Sequence, residues 1–225
     1  MEITWLGHSN FRIKTNEATV FIDPFFVGNP MAPMTHEEVN KCDLVLLTHD
    51  HGDHLGQTLE LSSTHNAEVV AIFDIIQLLL TQGLSEKLGV GMNIGGTVKV
   101  HNMDVKMVQA MHSSTTGVAA GYIITMADGT CIYFAGDTGL FGDMALFAEF
   151  HDIDIAFLPI GGHFTMDAQQ AAYACKLLKC KKVIPMHWGT FPVLANNTDS
   201  LRNELTKYSP GTEMVELKVG EPTTF

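Results

Sequence analysis

The stretch Thr48-His49-Asp50-His51-Gly52-Asp53-His54-Leu55 packs three imidazoles and two carboxylates into six consecutive residues, directly after the apolar run Leu44-Val45-Leu46-Leu47. A core cannot absorb polar groups at that density unaided, because each buried polar atom needs a hydrogen bond or a metal. Imidazole plus carboxylate is the ligand set of a borderline divalent cation, zinc first, with manganese, nickel or iron as alternatives. A lone histidine is usually surface decoration or a satisfied core residue. A cluster of this density reads as a metal site, with Asp50 and Gly52 as spacers between donors.

Outward from the cluster, further donors fall at the ends of apolar runs. Leu44–Leu47 leads to His49, Val105–Met111 to His112, Ile132–Ala135 to Asp137, and Val183–Met186 to His187. Ligands at the same ends of neighbouring strands converge, and strands hold them rigidly. His49, His51, Asp53, His54, His112, Asp137 and His187 make a set too large for one tetrahedral zinc and suited to two metals sharing a carboxylate. His49, His51 and His112 could hold one ion; Asp53, His54 and His187 could hold the other, with Asp137 bridging. Such ions sit roughly 3.5–4 Å apart, and an open position holds a water whose pKa falls from ~15.7 toward ~7.

The rest of the chain is consistent with an enzyme of modest size. Its 225 residues, 46% of them hydrophobic, fit one large domain or two intimately packed halves; the expectation is a single domain over residues 1–225. Strand-like runs alternate with helical ones, which says α/β or α+β. Strands are expected at 3–6, 11–14, 19–22, 44–48, 69–72, 97–100, 104–111, 122–126, 131–135, 153–158 and 183–186. Helices are expected over 75–80, capped by Asp74, over 142–150, over 167–178 with Asp167 and Gln170 as a capping box, and over 199–208. Asp128-Gly129 signals a two-residue hairpin, and a Pro-, Met- and Gly-rich loop at 25–36 is placed beside a cleft.

No run approaches the ~20 apolar residues of a membrane span, and Met1-Glu2-Ile3-Thr4-Trp5 lacks a charged region followed by an apolar one, so the expected location is cytoplasmic. Cys42, Cys131, Cys175 and Cys180 form no CxxC pair and read as small apolar residues. The net charge of −12 and the presence of only Arg12 and Arg202 argue against a nucleic-acid partner, which needs Lys/Arg clusters. A small-molecule substrate is expected, and association with further copies remains open. His36, His65, His101 and His151 are read as solvated.

The segment His49–His54 resembles the HxHxDH signature of the metallo-β-lactamase superfamily, and His112, Gly136-Asp137-Thr138 and His187 follow in that family's order. The resemblance runs from about Trp5 to Gly189. It implies the metallo-β-lactamase fold, a four-layer αββα sandwich, with the same division of ligands. It also implies that Asp23 anchors a loop or backs a ligand without binding metal. Leu6-Gly7-His8, Ile22-Asp23-Pro24-Phe25, the 158–166 segment and Pro185-Met186-His187-Trp188-Gly189-Thr190 look like a short, single-domain branch of metal-dependent hydrolases, similar to L-ascorbate-6-phosphate lactonases. The chain departs from those lactonases in being shorter and poor in arginine. It lacks the insertion of the nuclease branch between Asp137 and His187, and His51 stands where the di-iron flavoproteins of this fold have a glutamate.

The implied activity is binuclear metal-dependent hydrolysis, a metal-bridging hydroxide attacking a small ester, lactone or amide, with Asp53 orienting it or shuttling a proton. A small phosphodiester is the alternative substrate, and a non-catalytic metal-binding protein the alternative of another class. His8 and His163 are candidates for catalytic or substrate-contacting roles, each with a local structural role as its alternative. Trp188 and Phe191 read either as pocket wall or as core.

Overall fold

In a computed structural model describing all 225 residues, Met1–Phe225, burial patterns separate the strands at once. β1 (Glu2–Trp5), β2 (Phe11–Lys14) and β3 (Thr19–Ile22) form an antiparallel meander with Ile3 opposite Ile13 and Ile13 opposite Val20. β2 buries Phe11 and Ile13 and exposes Lys14, the alternation of a half-covered strand. β3 and β4 (Leu44–Leu46) are buried at every position and pair in parallel, as expected of strands covered on both faces. α1 (Gly52–Leu55) lies inside the histidine cluster. α2 (Thr58–His65), β5 (Glu68–Ile72), α3 (Phe73–Thr81) and β6 (Gly89–Met92) follow, and both strands extend the parallel sheet.

The second run of elements opens with the antiparallel strands β7 (Thr97–Val100), β8 (Met103–Gln109), β9 (Ala120–Thr125) and β10 (Cys131–Phe134). It continues through α4 (Met144–Phe150), β11 (Ile155–Pro159), α5 (Ala168–Leu178), β12 (Lys182–Met186), α6 (Asp199–Tyr208) and β13 (Glu213–Met214). β14 (Pro222–Thr224) returns to pair with β1.

The chain divides into two compact units. The first comprises Met1–Gly96, Ser113–Ala119 and Leu217–Phe225; the second comprises Thr97–His112 and Ala120–Glu216. The first carries a seven-stranded mixed sheet, β14-β1-β2-β3-β4-β5-β6, with α2 and α3 packed on its parallel strands. The second carries another, β13-β12-β11-β10-β9-β8-β7, where α5 packs on β11 and is flanked by α4 and α6. The second unit's core is aromatic: Tyr122, Tyr133, Phe134 and Phe157 are fully buried. No helix is long and apolar enough to cross a membrane.

Several expectations change in detail. α1, α2, β6, β13 and β14 have no counterpart among the expected elements. Asp74 does not cap α3; Ile72 holds that position without a side-chain bond, and Asp74 sits in the first turn, where a carboxylate still favours the positive end of the helix dipole. Asp167 does cap α5, accepting the Gln170 N–H at 2.8 Å. The β9–β10 turn has three residues, not two. The Gly129 N–H bonds Met126 O, the Met126 N–H bonds Thr130 O, and Gly129 takes φ +90°, a left-handed position that suits glycine. The 25–36 loop does border a cavity, about 400 Å³, lined by Phe26, Asn29, Pro33, Met34 and Glu38 among others.

Candidate metal centre

In the first unit, β1 and β3 are each antiparallel to β2, and β4 is parallel to β3. The C-terminal ends of β1, β3 and β4 therefore point the same way, which delivers His8, Asp23 and the His49–His54 cluster to one edge of the sheet. Two of these residues hold strained backbone: His8 at φ 57° and Asp23 at φ 48°. Left-handed conformations in non-glycine residues cost about 1–3 kcal/mol and collect at functional sites.

The local geometry explains the spacing of the cluster. After β4 the chain reaches His51 in extended conformation (φ −65°, ψ 147°), then makes one helical turn, with the His54 and Leu55 N–H groups bonding His51 O at 2.9 and 2.8 Å. Residues two apart on extended chain face the same side, so His49 Nε2 and His51 Nδ1 come within 3.0 Å of each other. The helical turn then brings Asp53 and His54 back. One donor atom each from His8, Asp53 and His54 lies within 4.8 Å of the others, as do donor atoms of His49 and His54.

Asp23 organises this set from behind. It is fully buried, and its carboxylate accepts the Thr48 N–H (2.9 Å), the Thr48 hydroxyl (2.7 Å) and His54 Nδ1–H (2.7 Å). Since the Thr48 proton goes to Asp23, Thr48 Oγ1 accepts from His49 Nδ1, 3.0 Å away. One carboxylate thus fixes the tautomers of two buried imidazoles and leaves both Nε2 atoms as lone-pair donors, the arrangement that holds metal-binding histidines. Burial pushes the Asp23 carboxyl above its ordinary range, opposed by His54 and Thr48.

His8, also fully buried, places Nε2 3.1 Å from Asp53 Oδ2. Asp50 is more than a spacer. Pointing away from its neighbouring histidines, it accepts from Ser114 Oγ at 2.9 Å and from the Thr115 N–H at 2.7 Å, tying the 113–119 segment to the cluster. Burial raises its carboxyl, but these hydrogen bonds outweigh that and lower it overall. The only sequence signal for this was that an acid sits between two histidines on extended chain.

In the second unit, β8 and β10 are both antiparallel to β9, and β10, β11 and β12 run parallel. His112, Asp137, the Gly161–His163 turn and His187 therefore follow strands that end at one edge. β8 stops at Gln109, earlier than the expected Met111. Asp137 Oδ2 lies 3.0 Å from His187 Nε2 and 3.5 Å from His112 Nε2. Asp137 and His187 are buried, and His187 takes φ 57°. A Cβ on Gly161 would stand 2.5 Å from His187 O and 3.0 Å from His187 Nδ1, so this turn closes on His187 only because residue 161 is glycine.

Thr138 braces the same edge: its hydroxyl accepts the Met111 N–H at 2.9 Å, and its carbonyl accepts the Met166 N–H at 3.0 Å. His163 is exposed, its ring edge-on to Phe164 at 4.5 Å. Trp188 is half-buried and donates Nε1–H to Pro185 O.

In each set, neighbouring donors stand at separations close to those between ligands of one divalent ion. Ligands at about 2.0–2.1 Å around a tetrahedral centre stand roughly 3.3 Å apart, and the separations within each set are 3.0 Å (His49–His51), 3.0 Å (Asp137–His187) and 3.5 Å (His112–Asp137). The donor atoms are imidazole nitrogens and carboxylate oxygens, which borderline divalent cations accept.

Comparison with known proteins agrees. A family profile described as "Beta-lactamase superfamily domain" matches residues 2–187. A "UPF0173 metal-dependent hydrolase" of Nitratidesulfovibrio vulgaris is 48% identical over 226 residues, covering 99% of this chain and 95% of the relative. Among solved structures, the metallo hydrolase Igni18 of Ignicoccus hospitalis superposes with TM-score 0.91 at 36% identity, over 100% of this chain and 97% of that one. The metallo-β-lactamase fold protein YhfI of Bacillus subtilis, at 15% identity, covers 99% of this chain and 98% of its own with TM-score 0.76, a likeness of fold alone. The chain belongs to the metallo-β-lactamase superfamily, in the branch of the UPF0173 metal-dependent hydrolases.

Proposed function

We propose that the two donor sets act together as a binuclear hydrolytic centre and that residues 1–225 work as a single functional domain. His49, His51 and His112 would hold one divalent ion, most simply zinc; Asp53, His54 and His187 would hold the second, with Asp137 shared. The observation that carries this reading is the Asp23 relay, which presets His49 and His54 for coordination through Nε2. Bound ions would supply Lewis acidity toward a carbonyl oxygen and a water acidified toward neutrality.

The chain's own residues supply the rest. Asp53, about a third exposed and held by His8 at 3.1 Å, would orient an attacking water and receive its proton. His8 is a positioning residue for that carboxylate. Asp137, buried between His112 and His187, fixes the second set. With only two arginines and a net charge of −12, a small neutral ester, lactone or amide suits the chain better than a polyanion. A reducing compartment, the cytoplasm, suits four thiols kept buried and free.

The test is metal analysis followed by a substrate screen. The expected result is two equivalents of divalent metal, with chelator-sensitive turnover of p-nitrophenyl esters or lactones exceeding that of bis-p-nitrophenyl phosphate. Less than one equivalent after reconstitution would overturn the reading. Preference for the phosphodiester would replace the substrate class, and full metal without turnover on any substrate would favour a non-catalytic metal protein.

A further inference from the structure

The second unit leaves several large apolar side chains exposed, and three of them stand on loops at the edge that carries His112, Asp137 and His187. Met111 is 61% exposed, Phe164 58% and Val193 54%. Their loops are tied together through backbone groups. The Gly139 N–H bonds Met111 O at 3.1 Å, complementing the Met111–Thr138 bond. The Met166 N–H bonds Thr138 O, and the Gly162 N–H bonds Met166 O, which closes the turn that presents Phe164. The Ala195 N–H bonds Gly161 O at 3.0 Å, and the Gly189 N–H bonds Ala195 O at 2.8 Å, holding the loop of Val193.

The tips are therefore positioned from Thr138, next to Asp137, and from Gly161, which abuts His187. His163 sets the Phe164 ring edge-on at an interplanar angle of 86°. Segments 110–112, 160–166 and 188–197 contain no Lys or Arg, so the loop tips offer a long substrate tail apolar contact in place of an ammonium or guanidinium partner. Loop tips normally carry small polar residues, and here three loops joined by backbone hydrogen bonds each carry a large exposed apolar side chain instead.

We propose that Met111, Phe164 and Val193 form a clamp for the apolar acyl or alkyl chain of the substrate, so that the enzyme selects acyl groups of several carbons over acetyl. This rests on the hydrolase reading above and deepens it to a substrate class: neutral esters, lactones or amides with an aliphatic or aromatic acyl chain. The clamp adds nothing to the chemical step. Its contribution is burial of substrate methylenes, which at about 0.8 kcal/mol each when fully buried corresponds to about two- to fourfold in kcat/KM per methylene at a half-open site.

The experiment compares kcat/KM for p-nitrophenyl acetate, butanoate and hexanoate on the metal-loaded enzyme and on Met111→Ala, Phe164→Ala and Leu146→Ala. It is paired with calorimetric binding of acetate, butanoate and hexanoate as product carboxylates. The wild type should prefer hexanoyl to acetyl by at least about tenfold. Met111→Ala and Phe164→Ala should each cut that ratio about threefold or more, whereas Leu146→Ala, an exposed apolar residue on α4, should leave it unchanged.

Ester turnover with a flat or inverted chain-length profile overturns the clamp and leaves the hydrolase reading standing. No turnover, with carboxylate affinity still rising with chain length and falling in the variants, overturns the hydrolase reading and keeps the clamp. A flat carboxylate series without turnover overturns both. If the variants change the sedimentation coefficient and not the chain-length ratio, the patch is an interface between copies, and the clamp is wrong.

Discussion

The two donor sets are built in opposite ways. The first lies within His49–His54, one short segment that is extended, then turned once, and backed by a single carboxylate, Asp23. The second draws His112, Asp137 and His187 from separate strand ends, and what brings them together is the pairing of β8 through β12. The first set is specified locally and tuned by hydrogen bonds. The second is specified by sheet register and defended by close packing, as the 2.5 Å approach a Cβ at Gly161 would make to His187 O shows. A metal centre assembled from both would fail differently according to which side is disturbed, and the difference can be measured.

The largest effect is expected from Asp137→Ala. In the binuclear reading its carboxylate is shared, so its loss should lower metal content from two equivalents to one or less. Turnover should fall by about 10³-fold or more, because metal activation is worth several kcal/mol of barrier. Metal analysis beside kcat/KM checks both. Full metal retention would mean that Asp137 only holds His112 and His187 in place.

Asp23→Asn probes the other construction. An asparagine amide presents N–H toward Thr48 Oγ1 and His54 Nδ1, where a carboxylate now accepts from both. The imidazoles would then be driven toward the tautomer that cannot ligate through Nε2. Metal affinity should drop about 10- to 100-fold, read by chelator competition, while Thr48→Val, which breaks only the branch to His49, should sit at the low end of that range. If Asp23→Asn binds metal as the wild type does, the relay is structural and the first set needs no support from behind.

Gly161→Ala tests the second construction by sterics. The new methyl would press on the His187 carbonyl and ring, and overpacking of this kind costs about 1–3 kcal/mol, a fall of several degrees in Tm. Calorimetry with and without metal separates the two contributions: the loss should be larger in the metal-loaded protein, where His187 cannot move aside. An equal loss in both forms would place the strain in the loop alone.

The same contrast governs what could be read from the chain. Polar density exposes the first set in six letters. The second set becomes visible only as a recurrence of donors after apolar runs, and Asp23 only through resemblance, since nothing local says that a strand-end aspartate will receive Thr48 and His54.

Elements set by tertiary contact were illegible. β6 reads Gly-Val-Gly-Met, which suggests a loop, yet its glycines exist because α3 lies on them; a Cβ at Gly89 would meet Ile76 Cγ2 at 2.9 Å. The Thr58–His65 helix carries too many small polar residues for a clear 3.6-residue period, and it ends on Asn66 in a left-handed cap, a signal easily passed over. β14, Pro-Thr-Thr, is a strand only because β1 has an open edge beside it.

The smallest effect separates motif from mechanism. Gly52 lies inside the signature, but a Cβ there would meet nothing within 4 Å, and its φ is not in the left-handed region. It opens α1, whose backbone an alanine stabilises by up to about 1 kcal/mol relative to glycine, less at a first turn. Gly52→Ala should therefore leave metal stoichiometry at two and raise Tm by a degree or two, in contrast with Gly161→Ala, which lies outside the signature and should lower it. Should Gly52→Ala instead cost activity at unchanged metal content, the space above residue 52 belongs to the substrate. The glycine in the signature would then be there for substrate access, and the first set would share with the second a dependence on close approach.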